Sequence, residues 1–451
     1  MSDRWTLPYP DFLERSVNVF PSVALFSLAL AGLTIAQSSP TATLTASAGG
    51  NGGFLGTSVA ISGSTVAAGA PAAFVTNQTS GIVYVFTKSA NEPWADSTEQ
   101  ARLVAPAIGL GTQVAMSGDG SVIVAATHGV GTQGASDTLY LFVEPALGWK
   151  GTLSPNVTLT LDSPPVPWVD QGQFSGVTIN ATGTMIVAGA PNAGYKAHFH
   201  DGQSVPAVPA LGAAYIWMEP SLGWGATNSQ LGQTVMIMPS DGQANDSFGK
   251  AVAAAANTVV VAATNALSTA GKVYLFQKPA SGWLKRTSKF SSILAASDSQ
   301  VGDNFGLFVA VGDSGSLVAV GTGRGCPSSS GPVYVFAKPA KAWPAMMSQT
   351  AELSSSDGAL CFGEGLAAAN DEIVVGAPAN GGRQQPGAAY SFSKPPQGWM
   401  NQSLPARMTG EVGSGHFGLS SSIGGRTIAI GAPQTTVADN PSAGAVYLFS
   451  N

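Results

Sequence analysis

The chain has 451 residues, of which 10% are charged and 44% hydrophobic, with 56 glycines; the charged share is far below the roughly 25% of an ordinary globular chain. With 19 Lys and Arg against 25 Asp and Glu the net charge is -6, and no run of basic residues marks a phosphate-binding stripe, so a nucleic-acid partner is not expected. So few charges among so much Gly, Ala, Ser, Thr and Val exclude a disordered tail protein and suit short strands and tight turns better than long helices.

Taken in chain order, the N-terminus stands apart. Val19 to Ala36 is an 18-residue run without a charge, ending Thr34-Ile35-Ala36 before Gln37, which has the small-x-small character of a signal peptidase site. Residues 1–36 therefore read as an export signal ahead of a single domain at 37–451, and a signal anchor retained through residues 19–36 is the alternative. The leader departs from the usual positive n-region, carrying Asp3, Asp11 and Glu14 beside Arg4 and Arg15.

From about residue 41 one pattern recurs seven times. It opens on Phe-Gly or Phe-x-Gly, passes through a small apolar strand and a second strand into Gly-Ala-Pro, and closes with a strand of type Gly-x-Val-Tyr-Val-Phe. The tyrosines Tyr84, Tyr140, Tyr215, Tyr274, Tyr334, Tyr390 and Tyr447 step by 56, 75, 59, 60, 56 and 57 residues. The openings Phe54, Leu110, Phe174, Phe248, Phe305, Phe362 and Phe417 keep the same step. Gly-Ala-Pro is intact at Gly69, Gly189, Gly376 and Gly431, and eroded in the other units.

These residues resemble the FG-GAP repeat family, which includes the N-terminal propeller of integrin alpha subunits. The resemblance implies an all-β fold, a seven-bladed β-propeller of four-stranded antiparallel blades. Physical reasoning reaches the same architecture: the third strand of each unit is apolar on both faces, and a sheet of that kind must be sandwiched, as blades around an axis are. The fourth strands precede each opening Phe, around Leu103, Leu159, Met236, Leu294, Leu353 and Met408. The last unit ends without one, while Thr41 to Ser47 is spare at the N-terminus. That segment is expected to close the ring as an outer strand.

The candidate sites are few. A Lys/Glu-Pro-x-x-x-Trp segment follows most tyrosine strands (Trp149, Trp224, Trp283, Trp343, Trp399, with a looser Trp94), and its recurrence points to rim packing rather than to a sugar platform. Integrin-type repeats often carry a calcium loop between the Phe-Gly and Gly-Ala-Pro elements. The corresponding turns here, such as Ser62-Gly63-Ser64 and Gly312-Asp313-Ser314-Gly315, lack the several oxygens calcium needs, so neither metal nor another cofactor is expected. Unit three has a longer connection, from Pro191 to Tyr215, holding Tyr195, Lys196, His198, His200 and Asp201. His-x-His puts two imidazoles on one side of an extended segment, and these residues are the candidate ligand-binding set against a plain solvated insertion. Cys326 and Cys361 fall in loops of neighbouring units that emerge on one face, and an oxidising compartment would pair them.

No spacing matches a catalytic motif, and few acids recur near the strand entries apart from Asp246, Asp303 and Glu364. The expectation is an exported, monomeric, non-enzymatic binding, adhesion or scaffold module that offers its loop face to a protein or glycan, secreted or periplasmic, and at a membrane only if the signal is retained. A propeller enzyme acting on glycans, a hydrolase or lyase, is the alternative.

Overall fold

A computed structural model describes residues 37–450 except 48–52, 76–77, 80, 128–137, 162–168, 171–173, 197, 201–202, 227–229, 324–330, 379–386 and 412–414. The expected signal at 1–36 lies outside the described residues, and the propeller falls within the compact unit Ile35–Asn451. No helix among the described residues is long and apolar enough to cross a membrane.

Seven blades ring a central axis, six of five strands and one of four. In blade one the antiparallel order runs Ser58–Ser62, Thr65–Ala70, Ile82–Thr87 and Ala101–Leu103 from axis to rim. The second strand is buried along its whole length, as a strand covered on both faces must be. The apolar core is accordingly not one mass: it divides into seven clusters, each built from two neighbouring blades. Val66 and Tyr84 of blade one, for example, pack with Leu44, Val446 and Leu448 of blade seven.

The opening Phe is the wedge of each gap. Phe248 lies edge-on to Tyr274 and Phe276 of its own blade, with ring centroids 5.5 and 6.0 Å away, while its backbone N–H donates to the carbonyl of Leu211 in the blade before. Phe305, Phe362 and Phe417 repeat this geometry. Blade one departs from the sequence register: Leu55, not Phe54, is the fully buried wedge, and Phe54 takes the left-handed conformation at φ 58. In blade three Ser175, not Gly176, occupies the glycine place, since its N–H donates to Gly189 as that of Gly56 does to Gly69. The Gly of Gly-Ala-Pro has a single cause. A Cβ on Gly69 would be driven into the carbonyl oxygen of Gly111, the Phe-Gly equivalent of the next blade.

Ring closure follows the expectation. Ala42–Thr45 pairs antiparallel with Ala445–Ser450, matching Thr43 with Tyr447. Around it, the Ser47 N–H and hydroxyl both donate to Glu99, each at 2.8 Å, and Arg102 Nε bonds the same carboxylate at 2.7 Å. Burial works against ionisation of Glu99, but these donors outweigh it and hold the carboxyl below its usual range.

The four-stranded expectation needs one correction. A fifth, parallel strand lies outside the fourth in every blade but the fifth, and it comes from the next blade. Gly151–Leu153, between the third and fourth strands of blade two, pairs with Ala101–Leu103 of blade one. Gln230–Gly232, Arg286–Thr287 and Met346–Ser348 do the same one blade further on each time. Ser97–Thr98 latches onto the closing strand, and Gln37–Ser38 onto blade six. In blade five the latch shrinks to a bridge between Leu353 and Gln402. Physically, the latch covers the exposed hydrogen-bonding edge that each fourth strand would otherwise present.

Candidate functional site

The first strands start, and the second strands end, at one end of the propeller. Between blades two and five this end holds a cavity of about 620 Å³. Its wall is formed by residues at or just after the Phe-Gly element (Thr112, Ser175, Lys250) and just after the second strand (Thr127, Asn192, Asn265), with Asn304 and the half-buried Phe174 beside them. Among its described lining residues there is no carboxylate and no imidazole, and Lys250 is the one charge.

Several polar groups at this wall are held by hydrogen bonds, most of them between blades. Gln113 Nε2 donates to the Ser175 carbonyl at 2.6 Å, and its Oε1 accepts the Val177 N–H at 2.8 Å. Ser175 Oγ donates to the Gly249 carbonyl at 2.8 Å, and Asn265 Nδ2 to Ser247 Oγ at 3.0 Å. Asn304 Nδ2 donates to the Gly302 carbonyl at 3.3 Å, and among the described residues the side-chain oxygens of Asn265 and Asn304 accept no hydrogen bond, which leaves them open to a ligand. The result is a preorganised rim of hydroxyls and amides around a polar opening.

The cavity continues toward the axis into a second space of about 410 Å³, where Lys250 of blade four and Glu364 of blade six share a wall with Val177, Val252, Val309 and Leu366. Glu364 follows Phe362-Gly363 as Lys250 follows Phe248-Gly249. Its Oε2 is buried and has no hydrogen-bond partner among the described residues, and burial pushes its carboxyl above the usual carboxylate range. A last space of about 490 Å³ at the far end is walled by the first strands of all seven blades, where Val, Ala and Ile side chains stand beside Ser62, Ser117, Asp313 and Ser422.

The loop face also carries a bond that sequence reasoning missed. The hydroxyl of Tyr274 donates to Asp241 at 3.0 Å, that of Tyr334 to Asp298 at 2.7 Å, and that of Tyr390 to Asp357 at 2.7 Å. Each Asp lies in the loop that leads from one blade's outer strand to the next blade's wedge, so the bond ties that loop to the new blade. Desolvation first, then the neighbouring carboxylate, pushes the Tyr274 phenol well above its ordinary value, and Tyr390 is raised the same way. The signal was present as Ser-Asp ending at Asp241, Asp298 and Asp357, the Asp lying 33 to 36 residues before the tyrosine.

The predicted site residues scatter. Tyr195, in Gly194–Tyr195, is half-buried, and its hydroxyl donates to Met238 Sδ at 3.4 Å. It is therefore part of the packing between blades two and three. Lys196 is exposed. His198–His200 forms a hairpin with Gln203–Val205, and Asp201 lies outside the described residues. Among the described residues no three His, Cys, Asp or Glu gather as metal ligands. Among the described residues of that long connection, Pro191 and Asn192 at its start line the cavity. Cys361 is disulfide-bonded; the other cysteine of the chain, Cys326, lies outside the described residues. The tryptophans pack as the recurrence suggested: Trp149, Trp224, Trp343 and Trp399 are buried, and the indole N–H of Trp149 donates to the Gly120 carbonyl at 3.0 Å.

Compared with known families, residues 39–86 and 231–276 match the FG-GAP repeat model. The chain carries FG-GAP repeats. Each match begins with the outer strand of one blade and runs through the first three strands of the next, so the FG-GAP repeat is offset by one strand from the blade. That offset is why the first repeat has an outer strand to give to blade seven. No curated protein matches the chain.

Proposed function

We propose that this FG-GAP propeller is an exported, non-enzymatic binding module whose loop face takes a glycan. The observation that carries the reading is the cavity of about 620 Å³ at blades two to five, walled by hydroxyl and amide side chains with Phe174 alongside. Sugars are recognised by such neutral donor and acceptor pairs with an aromatic ring near by, and the volume lies in the range of small-ligand sites, roughly 300 to 1,000 Å³. Protein ligands favour flatter, larger and more apolar faces. A glycan array tests the reading, with Asn192→Ala and Asn304→Ala as variants that should weaken any hit; an array with no hit would refute it.

A second reading rests on Glu364. A carboxyl held above its usual range, with a free oxygen at a cavity wall, has the property a general acid requires in a propeller glycan hydrolase or lyase. Hydrolysis also needs a second carboxylate across the scissile bond, and the described residues lining the two adjoining spaces supply none. An activity screen on the sugars that bind separates the two readings: turnover lost in Glu364→Gln would favour the enzyme.

A further inference from the structure

The outer rim carries a charge asymmetry that the linear sequence conceals. In blades one to three, the connections between third and fourth strands (88–100, 144–156 and 219–234) hold Lys88 and Lys150 against Glu92, Asp96, Glu99, Glu144 and Glu219. The same connections in blades four to six reverse the sign. Residues 278–291 contain Lys278, Lys285, Arg286 and Lys289; residues 338–350 contain Lys338 and Lys341; residues 394–405 contain Lys394; and none of the three contains an acid. Seven of the 19 basic residues of a chain with net charge -6 thus lie on three segments.

The fold places those segments side by side. Each connection latches the blade before it, so 278–291 covers the edge of blade three, 338–350 that of blade four and 394–405 that of blade five. Lys394 is paired with Asp371 at 3.0 Å, whereas the other six cations form no ion pair among the described residues. Two acids adjoin these segments, and both carboxylates are engaged: Glu352, in the outer strand of blade five, accepts from Gln349 Nε2 at 2.8 Å, and Asp241, next to the Ser240 that bonds Ser288, accepts from Tyr274 and pairs with Lys272. The same arc exposes apolar side chains: Leu284 is 69% exposed, Met346 66%, Leu404 53% and Met400 44%.

We propose that this arc of blades four to six is a docking surface for an anionic lipid bilayer. Unpaired Lys and Arg beside protruding Leu and Met are the two elements of interfacial membrane binding: the cations meet anionic headgroups and the apolar tips enter the acyl boundary. A soluble polyanion would use the cations and leave the apolar tips without a role, so the combination favours lipid. The surface is distinct from the loop-face cavity, and its docking leaves that cavity facing water or a partner.

The test is co-sedimentation of the full chain with vesicles of phosphatidylcholine alone and with roughly 30% phosphatidylserine. Residues 19–36 are common to all variants, so their own affinity for lipid cancels in the comparison. Wild type should prefer the anionic vesicles and lose that preference as salt rises from about 0.1 to 0.5 M, where screening shortens to a few ångström. Replacing three cations (Lys285→Gln, Arg286→Gln, Lys289→Gln) should lower affinity for anionic vesicles about a hundredfold. Leu284→Ser with Met346→Ser, also on the surface, should weaken binding at unchanged salt dependence. Equal binding to both vesicles, or preference retained in the triple variant, would overturn the proposal. So would heparin binding that falls in the charge variant together with vesicle binding indifferent to the apolar one, which would mark a polyanion site.

Discussion

Leu44 gives the sharpest test of ring closure. It sits in the N-terminal strand Ala42–Thr45, is completely buried, and contacts blades seven and one. Leu353 occupies the same place in the outer strand of blade five and is buried to the same degree, but its strand is joined to its blade by the chain itself. Truncating a buried leucine to alanine costs about 2 to 5 kcal/mol, through lost transfer energy and the cavity left behind, against a total stability of about 5 to 15 kcal/mol. If Ala42–Thr45 is as firmly built into the ring as a covalently connected strand, Leu44→Ala and Leu353→Ala should lower the guanidinium midpoint, read by tryptophan fluorescence, by comparable amounts. A Leu44→Ala protein that unfolds with the parent while Leu353→Ala unfolds early would show that the closing strand frays before the ring does, and the reasoning would fail. Deleting residues 37–47 is the harsher version: it bares the Ala445–Ser450 edge and should produce aggregation.

The Tyr–Asp ties should behave as hydrogen bonds to a charged acceptor: Tyr274→Phe should cost about 1.5 to 3 kcal/mol, and a loss below a few tenths in denaturant titration would count against them. Because burial raises the Tyr274 and Tyr390 phenols, their contribution is complete below the ordinary tyrosine value near pH 10 and is lost as pH climbs through the raised one; the melting temperature should fall above about pH 10, less steeply in Tyr274→Phe. Glu364, also raised by burial, contributes fully below about pH 4 and less as pH rises through its folded value, so Glu364→Gln should gain on the parent as pH rises above about 4, and a constant gap would contradict the assignment. Chelator should leave the melting temperature unchanged; a drop restored by calcium would show that the turns do hold metal.

What the sequence determined by itself was the repeat and everything a repeat implies: the tyrosine ruler, the wedge, seven blades, outer strands before each Phe, and the spare strand at Thr41 to Ser47. These are local patterns, and two-faced apolar strands have few ways to be covered. Even there the register slipped where the pattern was ambiguous, at Phe54-Leu55-Gly56 and Phe174-Ser175-Gly176, because only the backbone bond to Gly69 or Gly189 says which residue holds the glycine place. The tertiary structure alone decided the rest. The parallel latches could not be read because Gly151–Leu153 and Arg286–Thr287 are too short to announce a strand and take their partners from another blade. The loop-face cavity and the basic arc gather residues tens to hundreds of positions apart, each unremarkable in its own repeat. A single repeat carries Lys250 or Glu364 as one more polar residue; the ring turns both toward one axial space, and function in a propeller resides in such differences between repeats rather than in what the repeats share.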